Sequence, residues 1–256
     1  MSWRSVSKRR AFLSHLAVSA TIVGVVILLV FAIWYPQPYF EAVGTWSIVR
    51  ILIGVDLVLG PILTLIVFRP NKPKLLLDVS IIAAMQAAAL IYGVTVLYRE
   101  RPYYLVFAVD RFHILAKRDV VGEATDASFA KPLIGPARAV ADLPADPIER
   151  NRIMEETVFE GAPDIERRVE LWTHYDEHVQ RIAARAVPIT VLRTASDDAA
   201  RQVDGLVETL GVTEEALAFL PIVGKQTDVA AIIQRDSAEI VAVIEIDPWP
   251  LMRFKG

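Results

Sequence analysis

The chain has 256 residues and no cysteine. That excludes disulfides, thiol nucleophiles and Cys-based zinc sites, and it is compatible with either side of a bacterial membrane. Charge is the second scarcity, and it is local: charged residues are sparse from 11 to 98 and dense from 99 onward. The stretch Tyr35–Ser47 contains no Lys or Arg and a single acid, Glu41. Nucleotide and hydrolase signatures are missing too. There is no P-loop, no G-x-G-x-x-G and no G-x-S-x-G, and no internal repeat or low-complexity tract is visible.

Three long apolar runs are present, roughly Ala11–Trp34, Ile48–Phe68 and Leu75–Tyr98. Each has about the ~20 residues that cross ~30 Å of hydrocarbon as a helix. The first begins after a basic segment but is long and ends in Trp34-Tyr35-Pro36, not in a small-x-small cleavage site, so it is read as a retained anchor. The positive-inside rule then orients the chain. Arg4, Lys8, Arg9 and Arg10 precede span one, and Arg69, Lys72 and Lys74 lie between spans two and three. The N-terminus (1–10) is expected to be cytoplasmic, the three-helix membrane domain to cover 11–98, and residues 99–256 to be periplasmic. Trp34, Tyr35, Trp46 and Tyr98 fall at the outer ends, as an interfacial aromatic belt does. The cytoplasmic parts, about ten and about six residues, are too short for a kinase, cyclase or nucleotidase domain.

The C-terminal part carries 27 of the 30 acidic residues but 19 of the 27 basic ones. An acidic domain without a basic stripe argues against nucleic acid as a partner. Tyr103–Val109 with Phe112–Lys117, and Val229–Arg235 with Glu239–Ile246, read as two hairpins, turning at Asp110-Arg111 and Asp236-Ser237. Between them lie helix signals. Asp146-Pro147 starts one helix, Pro163–Leu171 forms a short one, and Thr173 with Asp176 resembles a capping box for a helix to about Arg185. Ser196 caps another that ends at Gly211, and Thr213-Glu214 opens a short one. Gly122–Pro144 reads mostly as loop. The expected fold class is three N-terminal transmembrane α-helices followed by an α+β periplasmic domain, the two hairpins flanking several helices and sharing an antiparallel sheet.

The polar residues inside the spans are the candidate functional residues, because a charged side chain at mid-bilayer costs at least ~2.5 kcal/mol. At ~1.5 Å of rise per residue, Asp56 lies ~18 Å and Gln86 ~16 Å from the cytoplasmic ends of their spans. An Asp56–Gln86 hydrogen bond between spans two and three is expected, with Asp56 either locking the bundle or serving a partner helix. Asp78 and His15 match in depth near the cytoplasmic edge, where they pair or each reach interfacial water. Arg50, near the outer end, is expected to snorkel to the headgroups. Gly60-Pro61 frees backbone carbonyls and is expected to kink span two. Ala20/Gly24, Gly60/Thr64, Ala84/Ala88 and Ala89/Gly93 are small pairs that let helices approach. An aspartyl-protease dyad is excluded, since Asp56 and Asp78 differ by ~13 Å in depth.

His174-Tyr-Asp-Glu177-His178 fits the H-x-x-E-H pattern of a zinc peptidase. Yet Trp172, Tyr175, Val179 and Ile182 would form that helix's apolar stripe and leave the histidines on its solvated face. His113, alone in a strand, reads as structural. No enzyme, metal or cofactor is expected.

The order Trp34-Tyr35-Pro36, then Asp56-Leu-Val-Leu-Gly60-Pro61-Ile-Leu-Thr64-Leu-Ile-Val-Phe68, Lys72-Pro73, Asp78, Gln86, Tyr92-Gly93, Arg101-Pro102 and Phe107-Ala-Val-Asp110-Arg111-Phe112 resembles the TfpX/TfpZ family of type IV pilin accessory proteins. The likeness is densest over residues 11–115. It implies a chaperone-like protein of the bacterial inner membrane, whose partners are a major type IV pilin, the inner-membrane pilus assembly machinery and the lipid bilayer. On that reading Asp56, Gln86, Arg50, Gly60 and Pro61 are the candidate partner-binding residues. The alternative is a membrane-anchored periplasmic sensor or regulator acting through a separate cytoplasmic partner.

Overall fold

The computed structural model describes residues 7–36, 39–70, 72–123, 129–130, 132–225 and 227–254. Arg4 and the side chain of Glu41 lie outside the described residues. The chain separates into two compact units. Residues 1–34 and 45–100 make one, and residues 35–44 and 101–256 make the other.

In the first unit, helix α1 runs Lys8–Leu29 and continues as a wider π-helical turn, Val30–Trp34. Ser7 Oγ caps it by accepting from the Arg10 N–H at 3.3 Å. After the short α2, Tyr39–Ala42, comes span two. It consists of α3 (Trp46–Ile53), a π-helical stretch (Gly54–Leu59) and α4 (Gly60–Val67). Helix α5, Leu75–Glu100, is span three. The helices Lys8–Trp34, Trp46–Val67 and Leu75–Glu100 are each long and apolar enough to cross a membrane. At one end of the bundle Trp34 and Tyr98 meet edge to face at 5.2 Å, and Phe31 and Trp46 at 6.0 Å. Of the four small-residue pairs, Gly60/Thr64 is buried in the bundle, and a Cβ on Gly93 would stand 3.3 Å from Leu52. Ala20/Gly24 and Ala84/Ala88 face outward.

The second unit is built on one mixed sheet of eight strands. These are β1 (Tyr104–Ala108), β2 (Arg111–Leu115), β3 (Ala137–Ala141), β4 (Trp172–His174), β5 (Val187–Pro188), β6 (Leu217–Val223), β7 (Val229–Gln234) and β8 (Ile240–Ile244). The strand order is β4-β3-β1-β2-β6-β7-β8, with β5 added to β6. Both expected hairpins are present, β1–β2 and β7–β8, but they are not neighbours and the sheet is not purely antiparallel. β6 stands between them, parallel to β2 and antiparallel to β7, and β3 runs parallel to β1. β6 is central despite Pro221. Along the edge that faces β5 and β2, Ala218 and Phe219 pair with β5, and Ile222 and Val223 pair with β2. Pro221 falls in the gap, where its missing N–H costs no ladder bond.

Helix α6, Pro147–Phe159, starts as expected, with Asp146 Oδ1 accepting from the Ile148 N–H at 3.1 Å. Helix α7 is Val179–Arg185 and α8 is Ile189–Leu192. Helix α9, Asp197–Leu210, is capped by Ser196 and stopped by Gly211 at φ 63°, a left-handed conformation that glycine adopts without strain. It lays Val203 against Leu217 and Phe219 of β6 and Ile189 and Leu192 of α8. The expected helix from Thr173 is shorter than its cap signal implied. Thr173 belongs to β4, and its hydroxyl goes to the Val140 carbonyl at 3.2 Å instead of capping. Pro163–Leu171 forms two 3₁₀ turns, Ile165–Arg167 and Val169–Leu171.

The segment Tyr35–Gly44, expected as a plain connection between spans one and two, packs with the second unit, where α2 lies against β8. Tyr35, Phe40 and Val43 are buried, and Tyr35 and Phe40 meet edge to face at 6.3 Å. Burial and the nearby Glu239 push the Tyr39 phenol up to about 12, against the pull of Arg138. Beside it, the buried Tyr175 hydroxyl donates to the carbonyl of Ala238 at 2.7 Å. Ala238 has φ 54°, strained for a residue with a Cβ, so this bond holds a costly turn in place.

His113 and Glu166 approach to 3.7 Å, too long for a hydrogen bond. Burial lowers His113 to about 4 and raises Glu166, so both are driven toward their neutral forms and the contact is not an ion pair. Between pH 6.5 and about 4 the unfolded chain protonates this histidine and the folded chain does not. Stability therefore falls as pH drops through that window, by up to about 3 kcal/mol from this group. Glu166 acts in the opposite sense, costing stability as pH rises above its ordinary value. Denaturation of the full chain in micelles, followed by tryptophan fluorescence from pH 7 to 4, checks this. His113→Asn is expected to flatten the acid slope, and an unchanged slope contradicts it.

Candidate functional site

Span two is a straight apolar sequence interrupted by Pro61. A proline inside a helix cannot donate its N–H, and its ring crowds the carbonyl four residues earlier. The helix answers with a π-helical stretch over Gly54–Leu59, in which the Gly60 N–H reaches back to the Val55 carbonyl. π-Bulges of this kind are often found at functional sites. One consequence falls on Asp56. In an α register its carbonyl would take the Gly60 N–H, which is engaged with Val55. In a π register it would take the N–H of Pro61, which does not exist.

Gln86 of α5 fills that vacancy. Its Nε2 donates to both the backbone carbonyl and the Oδ1 of Asp56, each at 3.4 Å. The contact depends on Gly60. A Cβ built there would fall on the Gln86 side-chain amide, so only glycine leaves the amide room. Asp56, Gly60 and Pro61 on span two and Gln86 on span three thus form one constellation. Asp56 is 5% exposed, and its Oδ2, like Gln86 Oε1, is buried with no hydrogen-bond partner among the described residues.

Arg50 is not part of this constellation. It lies six residues, or ~9 Å of helix rise, away from Asp56, with its guanidinium 5.7 Å from the Trp46 ring. The Asp78–His15 pairing is not formed. Lys72 Nζ meets Asp78 Oδ2 at 2.6 Å, because a flexible cation from the adjoining loop reaches the carboxylate first. His15 Nδ1 instead shares a 2.6 Å hydrogen bond with Thr64 Oγ1, tying span one to span two. Thr64 is the member of the site that sequence reasoning missed in this role. It lies about four residues from the same membrane edge as His15, and that depth match was the available signal.

An apolar notch opens beside Asp56, between spans one and three, with a volume of about 170 Å³. His15 and Ser19 of span one and Ala83 of span three contribute to its walls, and Asp56 and Gln86 line it.

The H-x-x-E-H segment does not assemble a metal centre. His174 sits in β4, stacked on Phe129 at 5.6 Å, and His178 Nε2 shares a 3.0 Å hydrogen bond with Thr173 Oγ1. The two histidines are separated by a strand end and a 3₁₀ turn, Tyr175–His178, and so do not share an α-helical face. Among the described residues no group of three or more His, Cys, Asp or Glu comes together as metal ligands do.

Gly60→Ala is expected to expel the Gln86 amide and leave the Asp56 carbonyl unpaired, destabilising the bundle by about 1–3 kcal/mol. Gly54→Ala, six residues earlier with nothing within 4 Å of an added Cβ, is expected to change it by less than about 0.5 kcal/mol. Unfolding of both variants in mixed micelles checks the difference. Equal effects contradict the tight Gly60–Gln86 fit.

Residues 3–44 match the family model described as fimbrial assembly protein FimB. Three proteins of Dichelobacter nodosus are similar to the chain. The serogroup I fimbrial assembly protein is 28% identical over 245 residues, covering 93% of this chain and 94% of that protein. The serogroup E1 protein is 28% identical over 247 residues, covering 94% of each. The protein of serogroups C1 and C2 is 35% identical over 109 residues, which are 42% of this chain and 83% of that protein. No solved structure matches. Sharing 35% identity with a relative of which it covers 83%, and matching others almost end to end, the chain belongs to the family of fimbrial assembly proteins.

Proposed function

We propose that this protein acts in the assembly of type IV fimbriae as a non-enzymatic, chaperone-like accessory factor of the TfpX/TfpZ kind. On this reading it lies in the bacterial inner membrane and binds major pilin subunits before they enter the filament. The observation that carries the reading is the near full-length likeness to fimbrial assembly proteins, over 93% of the chain. It spans both the apolar helices and the mixed α/β unit, so it concerns the whole architecture.

The geometry supports binding more than turnover. A fibre subunit with an apolar anchor helix and a folded head presents two surfaces, one in the bilayer and one outside it. A chain with three apolar helices and a folded unit of its own offers one surface for each. The polar constellation in the helices, Asp56 with Gln86, supplies hydrogen-bonding capacity where lipid supplies none. Orientation follows from the basic residues, with the N-terminus cytoplasmic and the mixed-sheet unit periplasmic. The packing of Tyr35–Gly44 with that unit supports the three crossings, because they put the connection after span one and the chain after span three on one side of the membrane.

Deleting the gene, with expression of its neighbours verified, is expected to lower surface fimbriation and the steady-state level of membrane pilin. Restoring the gene in trans is expected to recover both. Unchanged fimbriation, pilin level and twitching contradict the reading.

A further inference from the structure

The notch beside Asp56 is too small for a typical small-molecule pocket, which runs to ~300–1,000 Å³. At about 170 Å³ it has room for a side chain or two. Its rim faces outward. Val18 is 59% and Ile22 43% exposed on span one, and Ala87 is exposed on span three. Its lining is mostly apolar, and the polar residues in it are His15 and Ser19 of span one, Asp56 and Gln86. Two acceptor oxygens there, Asp56 Oδ2 and Gln86 Oε1, are buried and have no hydrogen-bond partner among the described residues. Acceptors left unpaired in an apolar medium are costly. A lipid tail would fill the notch and leave that cost in place. A hydrogen-bond donor entering from the membrane would remove it.

We propose that the notch between spans one and three receives one face of a pilin's membrane helix, and that Asp56 accepts a hydrogen bond from a hydroxyl, amide or ammonium donor on that helix at mid-membrane depth. This rests on the reading of the chain as a pilin-binding factor and adds the face, the acceptor and the chemistry of the contact. Gln86 has the second part in it. By donating to Asp56 Oδ1 and to the freed carbonyl, it holds the carboxyl group and leaves Oδ2 to the partner.

A photocrosslinking amino acid placed at Val18 or Ile22 in the full-length chain, in cells making pilin, tests this. Ile51 and Ile66 on span two, 68% and 63% exposed, serve as lipid-facing controls. Crosslinking to pilin is expected from Val18 and Ile22 and not from the controls. Asp56→Asn keeps an acceptor oxygen and is expected to retain crosslinking. Asp56→Leu is expected to lower it about three- to tenfold, the value of one interhelical hydrogen bond in a membrane. Because Asp56→Leu can also disturb the bundle, Ala87→Trp provides a second arm. It narrows the notch from its exposed rim while keeping both Asp56 and Gln86, and it is expected to abolish crosslinking at normal protein levels.

Pilin captured from Ile51 or Ile66 but not from Val18 or Ile22 overturns the notch while leaving the pilin-binding reading in place. Capture of only lipid or a second copy of this chain at Val18 and Ile22 overturns it as well. So does undiminished pilin crosslinking in Ala87→Trp.

Discussion

An apolar span that contains a proline and an aspartate has two polar debts in the same turn, and the first unit of this protein is organised around them. Pro61 removes a donor and forces the π-helical stretch, which strands the Asp56 carbonyl. Water cannot be the answer inside hydrocarbon, so the donor must come from another helix. Gln86 is that donor, and it can reach its place only because residue 60 is glycine. Four residues on two helices are thus coupled by one requirement, that backbone and side-chain polar groups in an apolar medium be paired. The His15–Thr64 bond meets the same requirement between spans one and two nearer the membrane edge. The second carboxylate oxygen of Asp56 has no hydrogen-bond partner among the described residues, and Asp56 lines the notch.

The second unit obeys ordinary water-soluble rules. Its sheet is buried on both faces where β1 lies, with all five residues buried, and its helices are capped by Asp146 and Ser196. Strain is concentrated in short turns. Val109, between β1 and β2, sits at φ 61°, with the Asp110 N–H bonded back to the Ala108 carbonyl at 2.7 Å. This is the rare positive-φ form of a γ-turn. The turn is Val109-Asp110, one residue earlier than the Asp110-Arg111 pair suggested.

Much of this was legible because the relevant signals are local or scale with length. Span existence follows from apolar run length, and the ends at Trp34 and Tyr98 from aromatic placement. The Asp56–Gln86 contact follows from depth arithmetic, since two long helices in one bilayer share a ruler. Depth is also degenerate. It put His15 level with Asp78, whereas Thr64 lies at a similar level and faces span one. Which residues face each other depends on helix rotation, which depth does not encode. In the second unit, the four strands of the two hairpins were found, and β3, β4, β5 and β6 were not. Ala137–Ala141 is alanine-rich and bracketed by prolines, and Leu217–Val223 contains Pro221, a residue that argues against a central strand unless the neighbouring register has a gap. That gap is a property of where β5 and β2 end, so no reading of β6 alone reveals it. The Thr173 cap signal failed for a related reason, its hydroxyl being taken by a tertiary partner, Val140.

That Gln86 holds Asp56 is tested most directly by a double-mutant cycle on Asp56→Leu and Gln86→Leu, with the unfolding free energy of the full chain measured in mixed micelles for the wild type, both single variants and the double variant. A coupling energy of about 0.6–2 kcal/mol is expected, the range for hydrogen bonds between membrane helices. Single effects that add to within about 0.3 kcal/mol would show the two residues to be energetically independent and contradict it.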